Sequence, residues 1–206
     1  MSYAGSMSRP RSRREQYSDE TREALLTTAT SMFAERGFAK TALSEVASAA
    51  HVTRGAVYHH FKDKKDLYRA VLERTETDGM ATIRDAYLAH EDPVAGAMAA
   101  MNAYLDRVVD SDYAEIVLRQ GPIALGWEEW KACEEQFAAG LIEQIVTALV
   151  SAGRLPPLPI ATTASVTFSM LGGCGMAIAA AAPEDRLRIK DESAEVLARL
   201  VGGILV

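Results

Sequence analysis

Cysteine, proline and long apolar runs are all scarce in this sequence. Of its 206 residues only Cys133 and Cys174 are cysteines, so a disulfide scaffold is excluded. Both lie in apolar surroundings, as reduced core residues of a cytoplasmic protein would. With 7 prolines and 14 glycines, the chain is neither collagenous nor linker-like. No stretch reaches the roughly 18 consecutive apolar residues of a membrane span. The opening MSYAGSMSRPRSRREQ has no apolar core and is not expected to be a signal peptide. There is no polar/apolar alternation of a strand and no internal repeat of about 20–50 residues. No G-x-S-x-G, phosphate loop or paired-carboxylate motif is present, so neither an enzyme nor a cofactor is expected. His51, His59 and His60 have no cysteine or carboxylate spaced to complete a metal site, and no metal is expected.

What is present is an ordinary globular composition, 49% hydrophobic and 24% charged, in a length that suits one or two domains. The net charge of −6 is unevenly spread. Residues 1–75 carry 13 Lys+Arg against 9 Asp+Glu, whereas 76–206 carry 9 against 19. A basic front and an acidic rear assign any polyanion to the front.

Apolar residues recur at spacings of three and four almost throughout, which predicts an all-α protein. Residues 1–17, with Arg9, Arg11, Arg13 and Arg14, show no apolar period and read as a disordered basic arm. Ser18 is placed to cap a first helix with Leu25, Leu26, Ala29, Met32 and Phe33 on its apolar face, ended by Gly37. Thr41 opens a short second helix and Thr53 caps a third, Arg54 to Phe61. Asp63 starts a long fourth. Helices follow over 93–110, 112–119, 127–152, 160–182 and 183–205, with breaks at Gly121-Pro122 and Gly126. The domains expected are 18–66 and 67–206, both helical.

The pair over 41–61 reads as a helix-turn-helix. Val57 and Phe61 hold one face of its second helix inward. Arg54, Gly55, Tyr58 and His59 occupy the other, and a helix of this width fits the DNA major groove.

The run FAERGFAKTALSEVASAAHVTRGAVYHHFKDKKDLYRAVL resembles the N-terminal domain of TetR-family transcriptional regulators. Gly37 after the first helix, Thr41, the Val52-Thr53 turn and Tyr58-x-His60-Phe61-x-x-Lys64 occur in the family's order. The likeness covers about 20–72, and GPIALGWEEW is similar to a segment of some members. One departure is His51, where the family usually has glycine for a left-handed turn. The resemblance implies phosphate contacts from Thr41, Thr53, Tyr58, His60 and Lys64. It further implies base reading by Arg54, whose fork suits guanine O6 and N7, close approach at Gly55 and a base contact from His59.

In the rear half, small residues over 160–182 and apolar ones in the last helix fit a two-fold four-helix interface, as in the family. Its candidate residues are Phe168, Gly172, Gly175, Val196, Leu200 and Ile204. Met98, Met101, Tyr104, Leu118, Trp127, Trp130, Phe137 and Phe168 are the candidate lining of an effector pocket. The resemblance implies a homodimeric regulator, a repressor in most members, released from a palindromic DNA operator by a small molecule. A rival reading keeps the ligand pocket without operator binding.

Overall fold

The computed structural model describes residues 12–205, all of whose regular structure is helical. The first helix, α1 (Arg13–Lys40), starts earlier than its apolar pattern. Ser12 Oγ accepts from the Glu15 N–H at 3.2 Å, and the Glu15 carboxylate accepts from the Ser12 N–H at 2.7 Å. This reciprocal cap satisfies two orphan donors and starts the helix ahead of its buried face. The expected cap at Ser18 and the expected disordered arm are therefore corrected from Ser12 onward. Arg9 and Arg11 lie outside the described residues. Gly37, at φ 76° and ψ 168°, breaks α1 near its end.

Two short helices follow, α2 (Leu43–Ala49) and α3 (Arg54–His60). Ala42, not Thr41, is the N-cap of α2, and its N–H is taken by the Glu45 carboxylate at 3.0 Å. Thr53 caps α3, accepting from the Ala56 N–H at 3.2 Å. Between them His51 turns the chain at φ 54°, the left-handed conformation that the sequence pattern demands of that position. A side chain costs about 1–2 kcal/mol there, against about 0.5–1 kcal/mol of extra chain entropy for glycine. His51→Gly should therefore raise stability by up to about 1 kcal/mol, read as a higher urea midpoint. A lower midpoint would mean that the imidazole stabilises the turn.

Seven residues are too few for a helix to persist alone in water. Packing holds α2 and α3. Val46 and Val57 are fully buried against Leu25, Leu26 and Phe33 of α1 and Leu67, Tyr68 and Val71 of α4 (Lys64–Leu88). Each such side chain contributes about 1.5–3 kcal/mol by leaving water. Tyr68 meets Phe33 edge-on at 4.9 Å and Phe38 at 5.2 Å between ring centroids. Asp63 caps α4 through the Asp66 N–H at 2.8 Å. The helix then runs unbroken past the expected domain boundary at 66/67, so the front and rear units share it.

The same core continues rearward through Leu105 and Val108 of α5 (Pro93–Val109). A short α6 (Ser111–Tyr113) opens into a wide turn, Ala114–Arg119, closed by the Gln120 N–H on the Glu115 carbonyl at 2.9 Å. The break expected at Gly121-Pro122 falls at Gln120, and the Gly-Pro pair starts α7 (Gly121–Leu125). Proline is tolerated in a first turn because its missing N–H would have no partner there. A side chain at Gly121 would strike the Trp130 ring at 2.6 Å. Gly126, at φ 87°, leads into α8 (Trp127–Ser151). Helices α9 (Ile160–Ala180) and α10 (Arg186–Gly202) complete the rear, with a 3-10 turn at Pro183–Asp185 between them.

Candidate DNA-binding surface and ligand cavity

Arg54, Gly55, Tyr58 and His59 are all exposed on α3, while Val57 between them is fully buried. The Arg54 guanidinium sits 5.6 Å from the Tyr58 ring centroid, which preorganises a long side chain by a cation–π contact. A methyl group on Gly55 would meet only Thr53 Oγ1, at 3.8 Å. Thr53 is exposed; its oxygen caps α3, but its hydroxyl proton is left to donate. His60 is half-buried, and its pKa is lowered by burial first and then by His59 and Arg22. Arg22 lies over the Phe61 ring at 5.5 Å. Sequence reading missed it, although it stands on the polar face of α1. Among the described residues, no group of three or more His, Cys, Asp or Glu could hold a metal ion.

One expected phosphate contact, Thr41, is corrected by its internal partners, and a second, Lys64, is partly engaged within the chain. Thr41 is buried, and its hydroxyl donates to the Gly37 carbonyl at 3.0 Å and the Met32 carbonyl at 3.3 Å. It closes the carbonyls freed by the break at Gly37 and presents no hydroxyl to a phosphate. Lys64 does related work. Its Nζ donates to the Phe38 and Ala39 carbonyls at 2.9 and 3.4 Å and lies 4.4 Å from the Phe38 ring centroid. Two of its three donors are thus engaged within the chain.

The rear half encloses a cavity of about 980 Å³ between α4, α5, α8, α9 and α10. Met98, Met101, Tyr104, Leu118, Trp127, Trp130 and Phe168 line it. Phe137 does not. It sits beside the cavity-lining stripe of α8, in a shallow groove with Arg22, Glu73 and Arg74, and is corrected accordingly.

Two cavity residues missed by sequence reading are acids. Glu76 of α4 is only 4% exposed. The Tyr113 hydroxyl hydrogen-bonds its carboxyl, but Glu76 Oε1 has no partner. Burial pushes its pKa up to about 7, against the opposing pull of Tyr113 and Arg107. Glu134 of α8 also has a buried, unpartnered Oε1. Its pKa is raised well above the carboxylate range by burial and by Glu76. Both acids interrupt apolar stripes at helical spacing, Leu72-Glu76-Ile83 and Trp130-Glu134-Ala138. That interruption is the signal that could have found them.

On the outer face of α9 and α10, Val166, Leu187, Val196, Leu200 and Ile204 are exposed. With a mean hydropathy of 1.4 over its most apolar window, α9 is long and apolar enough to cross a membrane by length and composition, yet only 22% of that window is buried. Gly175 is corrected as an interface residue: it is buried, and a Cβ there would collide with the Tyr104 hydroxyl. Gly172 and Phe168 line the cavity, as do Leu200 and Ile204, which places the cavity mouth at the outer face. Phe168 also packs with Ile142, Val146 and Ala164.

A helix-turn-helix carried on an all-helical body with an enclosed apolar cavity is the layout of a DNA-binding transcriptional regulator. Family comparison makes this specific. Residues 25–71 match bacterial regulatory proteins of the tetR family, and residues 94–204 match the tetracyclin repressor-like C-terminal domain. The chain belongs to the TetR family. It is 28% identical over 163 residues to the transposon Tn10 TetC protein of Escherichia coli, covering 77% of this chain and 78% of that one. It is 46% identical over 63 residues to the HTH-type transcriptional regulator AcrR of Shigella flexneri, covering 31% and 29% of the two chains. The crystal structure of a TetR-family transcriptional regulator from Pectobacterium atrosepticum superposes with a TM-score of 0.83 at 30% identity, over 95% of this chain and 98% of that one.

Proposed function

We propose that this protein is a cytoplasmic homodimeric repressor. Its two α3 helices read a palindromic operator, and a small molecule in the rear cavity releases it. Gly55 carries this reading. Glycine inside a helix costs up to about 1 kcal/mol relative to alanine. The space beside it is open, so no internal packing repays that cost. Close approach of a DNA backbone does. Arg54 then reads bases with His59 beside it, while Thr53, Tyr58, His60 and Lys64 set the register. Two copies meet through the apolar outer faces of α9 and α10, matching two half-sites by their two-fold symmetry.

Coupling runs through the wide turn after α6. Gln120 Oε1 accepts from the Phe38 N–H at 3.0 Å, beside the break in α1. The Val117 carbonyl accepts from Trp130 Nε1 at 2.8 Å, and Trp130 lines the cavity. Arg119 Nε donates to the Ala179 carbonyl at 2.6 Å, near the end of α9. One segment therefore touches the DNA-binding head, the cavity wall and the dimer helix. A ligand shifts the DNA-competent population only if it binds the two arrangements of that segment unequally.

The test is a mobility shift with duplex DNA from upstream of the coding sequence. A retained complex of two chains per site, resisting unrelated competitor DNA, is expected. Gly55→Ala should raise the urea midpoint slightly while weakening that complex about tenfold, about 1.4 kcal/mol. Unchanged affinity in a stabilised variant would show that α3 does not face DNA at Gly55.

A further inference from the structure

A cavity this apolar has no structural need for acids, and two stand in its wall. Glu76 comes from α4 and Glu134 from α8. Glu76 is more than nine-tenths buried, and each carboxyl has one oxygen without a hydrogen-bond partner. A buried acceptor left unpaired costs about 1–3 kcal/mol, and more when it is charged. An ionised carboxylate can only accept or pair with positive charge, so whatever completes this pair must donate or be cationic.

The surrounding charges limit the choice. Lys131 is the cavity-lining cation, but it is exposed and lies 3.6 Å from Glu135 on the outer surface of α8. Arg107 is outside the lining, stacked 5.0 Å from the Tyr113 ring centroid. It opposes Glu76 alone, leaving Glu134 uncompensated. An anionic ligand would make both carboxyls harder still to ionise. A neutral apolar one would leave both oxygens unpaired. Tyr104, Tyr113 and Trp130 add aromatic rings to the wall, which attract a cation and repel an anion.

We propose that the cavity selects lipophilic cations, holding the positive charge between Glu76 and Glu134 and the apolar frame against the aromatic and methionine wall. This rests on the ligand-cavity reading given above and deepens it. Glu76 and Glu134 repel each other and resist ionisation while the site is empty. A bound cation draws off their protons, so its binding is coupled to proton release and strengthens as pH rises.

The experiment uses the full chain without DNA. The uncharged dye N-phenyl-1-naphthylamine reports occupancy of the cavity by its fluorescence. It is displaced by tetraphenylphosphonium or by tetraphenylborate, ions of nearly one shape and opposite charge. The phosphonium should displace the dye with a Kd at least about tenfold lower than the borate. Glu76→Gln and Glu134→Gln should each erase most of that ratio, with displacement referred to each variant's own dye affinity, since glutamine keeps the shape and removes the charge. Dye binding with equal or better displacement by the borate would overturn the charge assignment and leave the cavity reading intact. Absence of binding by the dye and both ions would overturn the cavity reading and this inference with it. The comparison of the two ions on the unaltered chain decides the matter even if a variant fails to fold.

Discussion

Replacing Arg54 by alanine is expected to cost about 1–3 kcal/mol in operator binding at each half-site, about 2–6 kcal/mol for a dimer, and to relax base preference. The residue opens α3, where the first turn of a recognition helix comes nearest the bases. Its guanidinium is exposed, forms no ion pair among the described residues and is steadied by Tyr58 at 5.6 Å. Little rearrangement is then needed for its fork to meet guanine O6 and N7. Isotherms on the operator and on a set of single-base variants would separate two outcomes. Loss of a base contact flattens the differences between sequences. Loss of a phosphate contact lowers affinity for all of them and reduces the salt slope instead. If Arg54→Ala left the ranking of variants intact, the base reader would have to be another exposed residue of α3, with His59 first.

How much of this was legible in the sequence follows from how local each determinant is. The helix-turn-helix was readable because turn chemistry sets it: Thr53 as a cap, and a left-handed residue at 51 whatever its side chain. The beginning of α1 was not readable from periodicity, because a capping box and not a buried face extends it to Ser12. Thr41 was misread, and Lys64 is partly engaged within the chain, for one shared reason. The break at Gly37 frees carbonyls that need donors, and both side chains turn inward to supply them. Only three-dimensional packing shows that demand. Gly175 illustrates a second limit. A small residue permits close approach on either side of a helix, and the Tyr104 hydroxyl decides that this one faces in. The acids were hidden by an assumption that charged residues mark solvated faces. The register of Glu76 with Leu72 and Ile83 contradicts that assumption.

Glu76 also predicts how the empty protein responds to pH. Its pKa rises from an ordinary 4.5 to about 7 in the fold. Between those values the folded chain holds a proton that the unfolded chain has released, so stability falls as pH rises. The stabilising contribution is complete below about pH 4.5 and is lost above about pH 7. At about 1.4 kcal/mol per unit, the loss is on the order of 3 kcal/mol. Five groups face this carboxyl: Tyr113 and Arg107 ease its ionisation, while Glu134, Tyr104 and Cys133 stand on the opposing side. Glu134 shifts in the same direction and adds to the slope. Glu129, held below the usual range by Lys65 and Arg69, slopes the other way, but it is present in both chains to be compared and cancels. Urea unfolding of the parent chain and of Glu76→Gln, at pH 5 and pH 8, isolates the effect. The variant should gain about 2–3 kcal/mol on the parent between the two pH values, because glutamine fills the same space and never ionises. Parallel stability at both pH values would show that Glu76 finds water or a partner in solution, and that the cavity is wetter than its walls imply.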